Sequence, residues 1–116
     1  MNIKTFLWIA LSLIGLGTVG AQTTPNKNKK VEFAVGGNCG QCKARIEKAA
    51  YSVKGVKSAN WNINSGNITL IIDERKCSES DVQKAIAKVG HDAGKERADD
   101  AVYNKLHHCC LYERLP

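Results

Sequence analysis

From residue 31 onward, apolar residues recur along the chain in two alternating rhythms. Val31, Phe33 and Val35 occupy every second position, the period of a strand with one buried face. Ile46, Ala49, Ala50 and Val53 then repeat at helical spacing, which predicts a helix from about Gln41 to Val53 that ends at Gly55. Alternation returns over Val56 to Ile63, where Ala59, Trp61 and Ile63 interleave with Ser58, Asn60 and Asn62. Asn64-Ser65-Gly66-Asn67 reads as a turn, and Ile68, Leu70 and Ile72 mark one face of a third strand. Val82, Ala85, Ile86 and Val89 form a second helical stripe. Ser78 with Asp81 predicts its N-cap and Gly90 its C-cap. A short fourth strand is expected near His91 to Glu96. The order β-α-β-β-α-β is the split ferredoxin-like pattern: an α+β sandwich with two helices on one face of an antiparallel sheet.

The N-terminal flank follows neither rhythm. Lys4 is the only charge before residue 27, Phe6 to Leu16 is predominantly apolar, and Val19-Gly20-Ala21 offers small residues at a cleavage point. A positive start, a short apolar core and a small-residue end predict a secretory signal peptide over residues 1–21. The apolar run falls short of the roughly 20 residues that span a bilayer, so no stable membrane insertion is expected after cleavage. Residues 22–30 are polar, carry Pro25 and predict a flexible leader. The protein is therefore expected to be periplasmic or otherwise exported. Without Lys4, 16 basic residues face 11 acidic ones, a net charge of +5. Lys43, Arg45 and Lys48 concentrate part of that charge on the first helix, where they would suit an acidic-faced partner. Aromatics are only 6% of the chain and no stacking motif accompanies the charge, which argues against nucleic acid.

The chemistry lies between the first strand and first helix. Gly36-Gly37-Asn38-Cys39-Gly40-Gln41-Cys42 sets Cys39 in a loop and Cys42 on the first helical turn. Two thiolates at one point suit a soft ion, with Cu(I) first and Hg(II) or Zn(II) as alternatives. The helix N-terminus favours the thiolate form. Zn(II) wants four ligands, so this loop alone is half a zinc site. A thioredoxin-type redox pair would need a β-α-β-α order, a Trp before the first cysteine and a proline facing the pair. Pro25 and Pro116 are the only prolines.

On these residues the chain from Lys30 to about Glu96 resembles the heavy-metal-associated domain of copper chaperones, copper-pump modules and the periplasmic mercury-scavenging protein. The matching pieces are the cysteine loop with its flanking strand and helix, Gly55-Val56, and Gly90-His91-Asp92-Ala93. The resemblance implies a domain over residues 31–96 that binds a metal through Cys39 and Cys42 and is not an enzyme. The family's loop usually begins Gly-Met; Gly37 stands in place of that methionine, which implies a less anchored loop. His91, where family members often carry Tyr, Lys or His, becomes a candidate third ligand or a charge that tunes the thiolates.

Residues 97–116 form a tail in which His107, His108, Cys109 and Cys110 concentrate further donors. One or two of these could join Cys39 and Cys42. All five cysteines, Cys77 included, lie beyond the signal peptide, and five is an odd number in an oxidising compartment. Two exclusive arrangements follow. Cys77 bridges Cys109 or Cys110 at the far end of the domain, or the tail folds over the metal loop and Cys77 stays reduced. The expected course of the fourth strand favours the bridge. Tyr103, Leu106, Leu111 and Tyr112 are expected to anchor the tail on the sheet. The resulting expectation is an exported protein that captures a thiophilic ion and hands it to a metal-transport or metal-storage protein. The alternatives are a thiol-disulfide oxidoreductase and a zinc-stabilised interaction module.

Overall fold

Three strands hydrogen-bond in the order β1-β3-β2, all antiparallel, with β1 at Lys29–Ala34, β2 at Val56–Trp61 and β3 at Asn67–Ile72. The computed structural model describes residues 24–116, so the expected signal peptide lies outside the described residues. Helices α1 (Gly40–Tyr51) and α2 (Glu79–Lys88) cover one face of the sheet. Ile46, Ala49 and Ala50 of α1 and Val82 and Ile86 of α2 meet Val31, Phe33, Ile68, Leu70 and Ile72 in one core. Lys30, Glu32 and Ala34 on the opposite face of β1 are exposed. This one-sided burial is what the period-2 alternation encodes. A helix long and apolar enough to cross a membrane is absent among the described residues.

Local chemistry sets the ends of these elements. Ser78 Oγ accepts the Asp81 N–H while the Asp81 carboxylate accepts the Ser78 N–H, a complete capping box. β2 stops at Trp61, two residues short of the alternation. Asn62 takes over there: its Oδ1 accepts the N–H groups of Asn64 and Ser65, and its backbone pairs with Gly66 and Asn67. Ile63 is thereby turned outward and is 48% exposed.

The fourth strand is reduced to a fragment, and the fate of the tail depends on this. Val35 bridges Ala93, and Gly36 N–H reaches Asp92 O at 2.8 Å, so residues 92–94 lie along the open edge of β1. Ala93 then pairs with Glu96 across a two-residue turn. Gly94 has φ +55°, and a tight reverse turn favours glycine at its first central position. The chain is sent back and never runs the length of the sheet. Helix α3 (Asp100–Asn104) and a single 3-10 turn (His108–Cys110) follow at the end of the domain that carries the cysteine loop.

The expected bridge from Cys77 to the tail is accordingly not formed. Cys77 is a free, buried thiol whose Sγ points to Asp73 O at 3.9 Å. Tyr103, Leu106 and Tyr112 do anchor the tail, but against the loop end and not against the open sheet. Leu106 packs on Gly90, while Leu111 faces solvent at 43% exposure.

Candidate metal centre

Cys39 is the N-cap residue of α1, extended at φ −151° and ψ 175°, so its side chain stands at the mouth of the helix. Cys42 sits one turn in and is fully buried. Their sulfurs are 3.5 Å apart, and the Cys42 thiol also faces Asn38 Oδ1 at 3.3 Å. The Cys42 backbone N–H, together with the neighbouring sulfurs, lowers the Cys39 thiol from its ordinary value to about 7. Burial pushes Cys42 the other way, up to about 12. Cys39 is thus the more readily ionised of the pair, and a soft cation would displace the proton that Cys42 keeps.

The tail brings two more sulfurs to this point. Cys110, fully buried, lies 3.4 Å from Cys39, and the Sγ atoms of Cys39, Cys42 and Cys110 all fall within 4.8 Å of one another. Cys109 is 4.0 Å from Cys39 and 3.7 Å from Cys110 but stands outside that group of three. Burial raises the Cys109 thiol to about 11. Gln41 Oε1 accepts from Cys109 at 3.2 Å, and His107 Nδ1 lies 3.3 Å from the same sulfur. His108 is exposed, and its ring is tilted 36° to that of His107 with centroids 4.2 Å apart.

The loop beneath the sulfurs is held from two sides. Trp61 is fully buried and donates its indole N–H to Val35 O and Gly66 O. Its ring fills the space under Gly37, where a Cβ would lie 3.0 Å from two ring carbons and 3.1 Å from Cys42 Cβ. Trp61 from β2 thus occupies the room that the expected methionine would have taken. The implied loss of anchoring is made good across the sheet, and a side chain at 37 would fit only if the Trp61 ring gave way by a few tenths of an ångström.

His91 holds the other side and does not face the sulfurs. Its Nδ1 bonds Gly36 O at 2.7 Å, and Nε2 meets the Arg45 guanidinium at 3.3 Å. Both ring nitrogens are therefore engaged, which corrects the expectation of a third ligand. Arg45 can only donate, so Nε2 accepts and Nδ1 carries the proton. Burial lowers the pKa of His91 and agrees with that neutral form. Tyr112 stacks on the His91 ring at 5.3 Å and bonds Asp92 N–H and Gly90 O through its hydroxyl. Asp92, in turn, receives two bonds of 2.8 Å from Arg114.

Sequence reasoning did not find this Tyr112–Asp92–Arg114 latch, which fixes the tail where Cys110 meets the loop. The cationic cluster on α1 is also less free than expected. Lys43 is tied to Glu47, Asn60 and Trp61 O, and Arg45 to His91, while Lys48 stays exposed.

Known proteins resemble the domain that carries the cysteine loop. Residues 32–92 match the model of the heavy-metal-associated domain. The copper chaperone CopZ of Staphylococcus aureus (strain JH9) is 35% identical over 57 residues, covering 49% of this chain and 84% of the relative. A solved CopZ metallochaperone aligns with TM-score 0.54 at 32% identity, covering 56% of this chain and 98% of the other. Oxidised MerP from Ralstonia metallidurans CH34 aligns with TM-score 0.56 at 25% identity, covering 58% and 94%. The match to the domain model ends at residue 92, so Cys109 and Cys110 lie outside it. On the loop, the fold and the matched length together, the chain belongs to the heavy-metal-associated domain family.

Proposed function

We propose that this protein is exported and captures Cu(I) at Cys39 and Cys42, with Cys110 as third ligand, for hand-over to a partner. The observation that carries the reading is the triangle of three sulfurs within 4.8 Å, two of them buried. With a metal–thiolate bond of about 2.3 Å, linear coordination needs sulfurs about 4.6 Å apart and trigonal coordination about 4 Å. Cys39 and Cys42, at 3.5 Å, are closer than a linear site wants, and Cys110 stands where a trigonal site needs its third donor. Cys109 is outside this triangle, which disfavours a tetrahedral zinc site. Several sulfurs in mutual contact also suit an ion better than a redox pair, since a disulfide would use only two of them.

Hand-over is then ligand substitution with no redox step. A thiolate from the partner forms a bond to Cu(I) as the bond to Cys110 breaks, and the released Cys110 sulfur takes a proton from solvent. Cys110 thereby holds the third position until a partner's sulfur replaces it. Relatives named as copper chaperones, and the Cu(I)-loaded N-terminal domain of a potential copper-translocating P-type ATPase from Bacillus subtilis at 29% identity, support the choice of ion.

The test is the metal content of protein exported from copper-supplemented cells and purified anaerobically. Wild type is expected to carry copper and Cys39→Ser/Cys42→Ser none; equal copper on both would overturn the assignment. A partner with an acidic face would dock on the side that carries Lys48. Transfer to it should slow as salt rises and the Debye length shrinks from about 10 Å at 0.1 M to about 3 Å at 1 M. Salt-independent transfer would leave that charge a role in solubility alone.

A further inference from the structure

The four clustered thiols make two triangles and not one. Cys39, Cys42 and Cys110 form the inner face already described. Cys39, Cys110 and Cys109 form an outer one, with edges of 3.4, 3.7 and 4.0 Å. The two share the Cys39–Cys110 edge. We propose that the protein binds two Cu(I) ions side by side, one on each triangle, with the sulfurs of Cys39 and Cys110 bridging them. The proposal rests on the capture reading and adds a second site that the two-cysteine motif does not contain.

Several features fit an outer site of different character. The inner triangle has two fully buried corners, while Cys39 and Cys109 are only partly buried. The outer triangle is therefore the accessible one. Its edges lie close to the about 4 Å that a trigonal site with metal–sulfur bonds of about 2.3 Å requires. Cys109 has its own supports, with Gln41 Oε1 at 3.2 Å and His107 Nδ1 at 3.3 Å, so its sulfur is held toward Cys110 although neighbouring side chains commonly diverge.

Charge argues the same way. Four thiolates around one Cu(I) would leave three negative charges in a half-buried cluster, whereas a second Cu(I) leaves two. Each thiol that binds an ion as a thiolate releases its proton to solvent, so no oxidant or reductant enters the balance. The outer ion, open to solvent, is the one a partner would take first, and the inner ion stays under the tail.

Native mass spectrometry of the reduced full chain, titrated anaerobically with a Cu(I)–acetonitrile complex, tests this. Wild type is expected to saturate as a monomer carrying two coppers. The second equivalent should bring the luminescence of paired Cu(I)–thiolate centres. Cys109→Ser should saturate at one copper without that emission, and circular dichroism should show its fold intact, because Cys109 lies at the rim of the cluster. Saturation of wild type at one copper, two coppers retained in Cys109→Ser, or two-copper species only as dimers would each overturn the second site while sparing the first. Wild type that takes up no copper would overturn the capture reading and this proposal together.

Discussion

Cys39→Ser is expected to weaken Cu(I) retention more than any other single exchange of a thiol for a hydroxyl in this chain. Cys39 is the hub of the cluster. Its sulfur lies 3.5, 3.4 and 4.0 Å from those of Cys42, Cys110 and Cys109, whereas Cys110, the other shared corner, has two sulfurs within 4.0 Å and that of Cys42 only within 4.8 Å. It is also the thiol lowered to about 7, so at neutral pH it supplies a thiolate without a large deprotonation cost. Serine keeps the shape but offers a hard, neutral oxygen to a soft ion. Losing a supporting hydrogen bond costs a metal site about 10–100-fold in affinity, and losing a ligand from both triangles should exceed that range. Competition against a Cu(I)-specific chelator at pH 7 measures it. A Cys39→Ser protein within ten-fold of wild type, or one weakened less than Cys109→Ser, would show that the cluster is not organised around Cys39. Stability should hardly change, since Cys39 is partly exposed at a helix mouth and serine suits an N-cap position at least as well as cysteine.

How far the sequence foretold this site depends on the kind of interaction that carries each part. Burial on one face imposes a period, so the strands around Phe33, Trp61 and Leu70 and the helices around Ile46 and Ile86 were legible from spacing alone. The cysteine loop was legible because its two sulfurs are three residues apart at a strand-to-helix junction. The fourth strand was misread because His91, Asp92 and Ala93 are all buried and so carry no alternation, while the reversal at Gly94 looks like any loop glycine. That one turn decides which end of the domain receives the tail. Expecting a full strand therefore also produced the expectation of a Cys77 bridge. His91 drew attention as a donor, but its role follows from a carbonyl at Gly36 and a guanidinium at Arg45, partners far from it in sequence. The pair of Asp92 with Arg114 has no sequence signature at all, because two charges 22 residues apart resemble any others until the fold brings them together.

Arg114→Ala is expected to cost about 3–5 kcal/mol at neutral pH, the range for stripping the partner from a buried ion pair. The Asp92 side chain is 3% exposed and Arg114 16%, and the guanidinium meets both carboxylate oxygens at 2.8 Å. Arg114 also donates to Ala98 O, reaches Asp100 and lies over the Tyr103 ring at 4.4 Å, so its removal frees the tail as well. Against a domain stability of about 5–15 kcal/mol, the loss is large enough to see in any denaturant melt.

The pH dependence identifies the cause. Burial alone would raise the Asp92 carboxyl, but Arg114 and the N–H groups of Ala98 and Leu115 hold it below its ordinary value. A carboxylate depressed in the folded state stabilises fully above its unfolded pKa of about 3.9, and that contribution is lost as pH falls through the folded value. Without Arg114, burial dominates and the carboxyl is raised. The variant then sheds its penalty as protonation neutralises Asp92, so the gap to wild type should narrow steadily below about pH 5. Asp92→Asn added to Arg114→Ala should recover part of the loss at pH 7, because an amide does not need the guanidinium. Wild type and Arg114→Ala within 1 kcal/mol of each other at pH 7, or a gap unchanged between pH 7 and pH 4, would mean that the tail is held by Tyr112 and the packing of Leu106 and Cys110, without the ion pair.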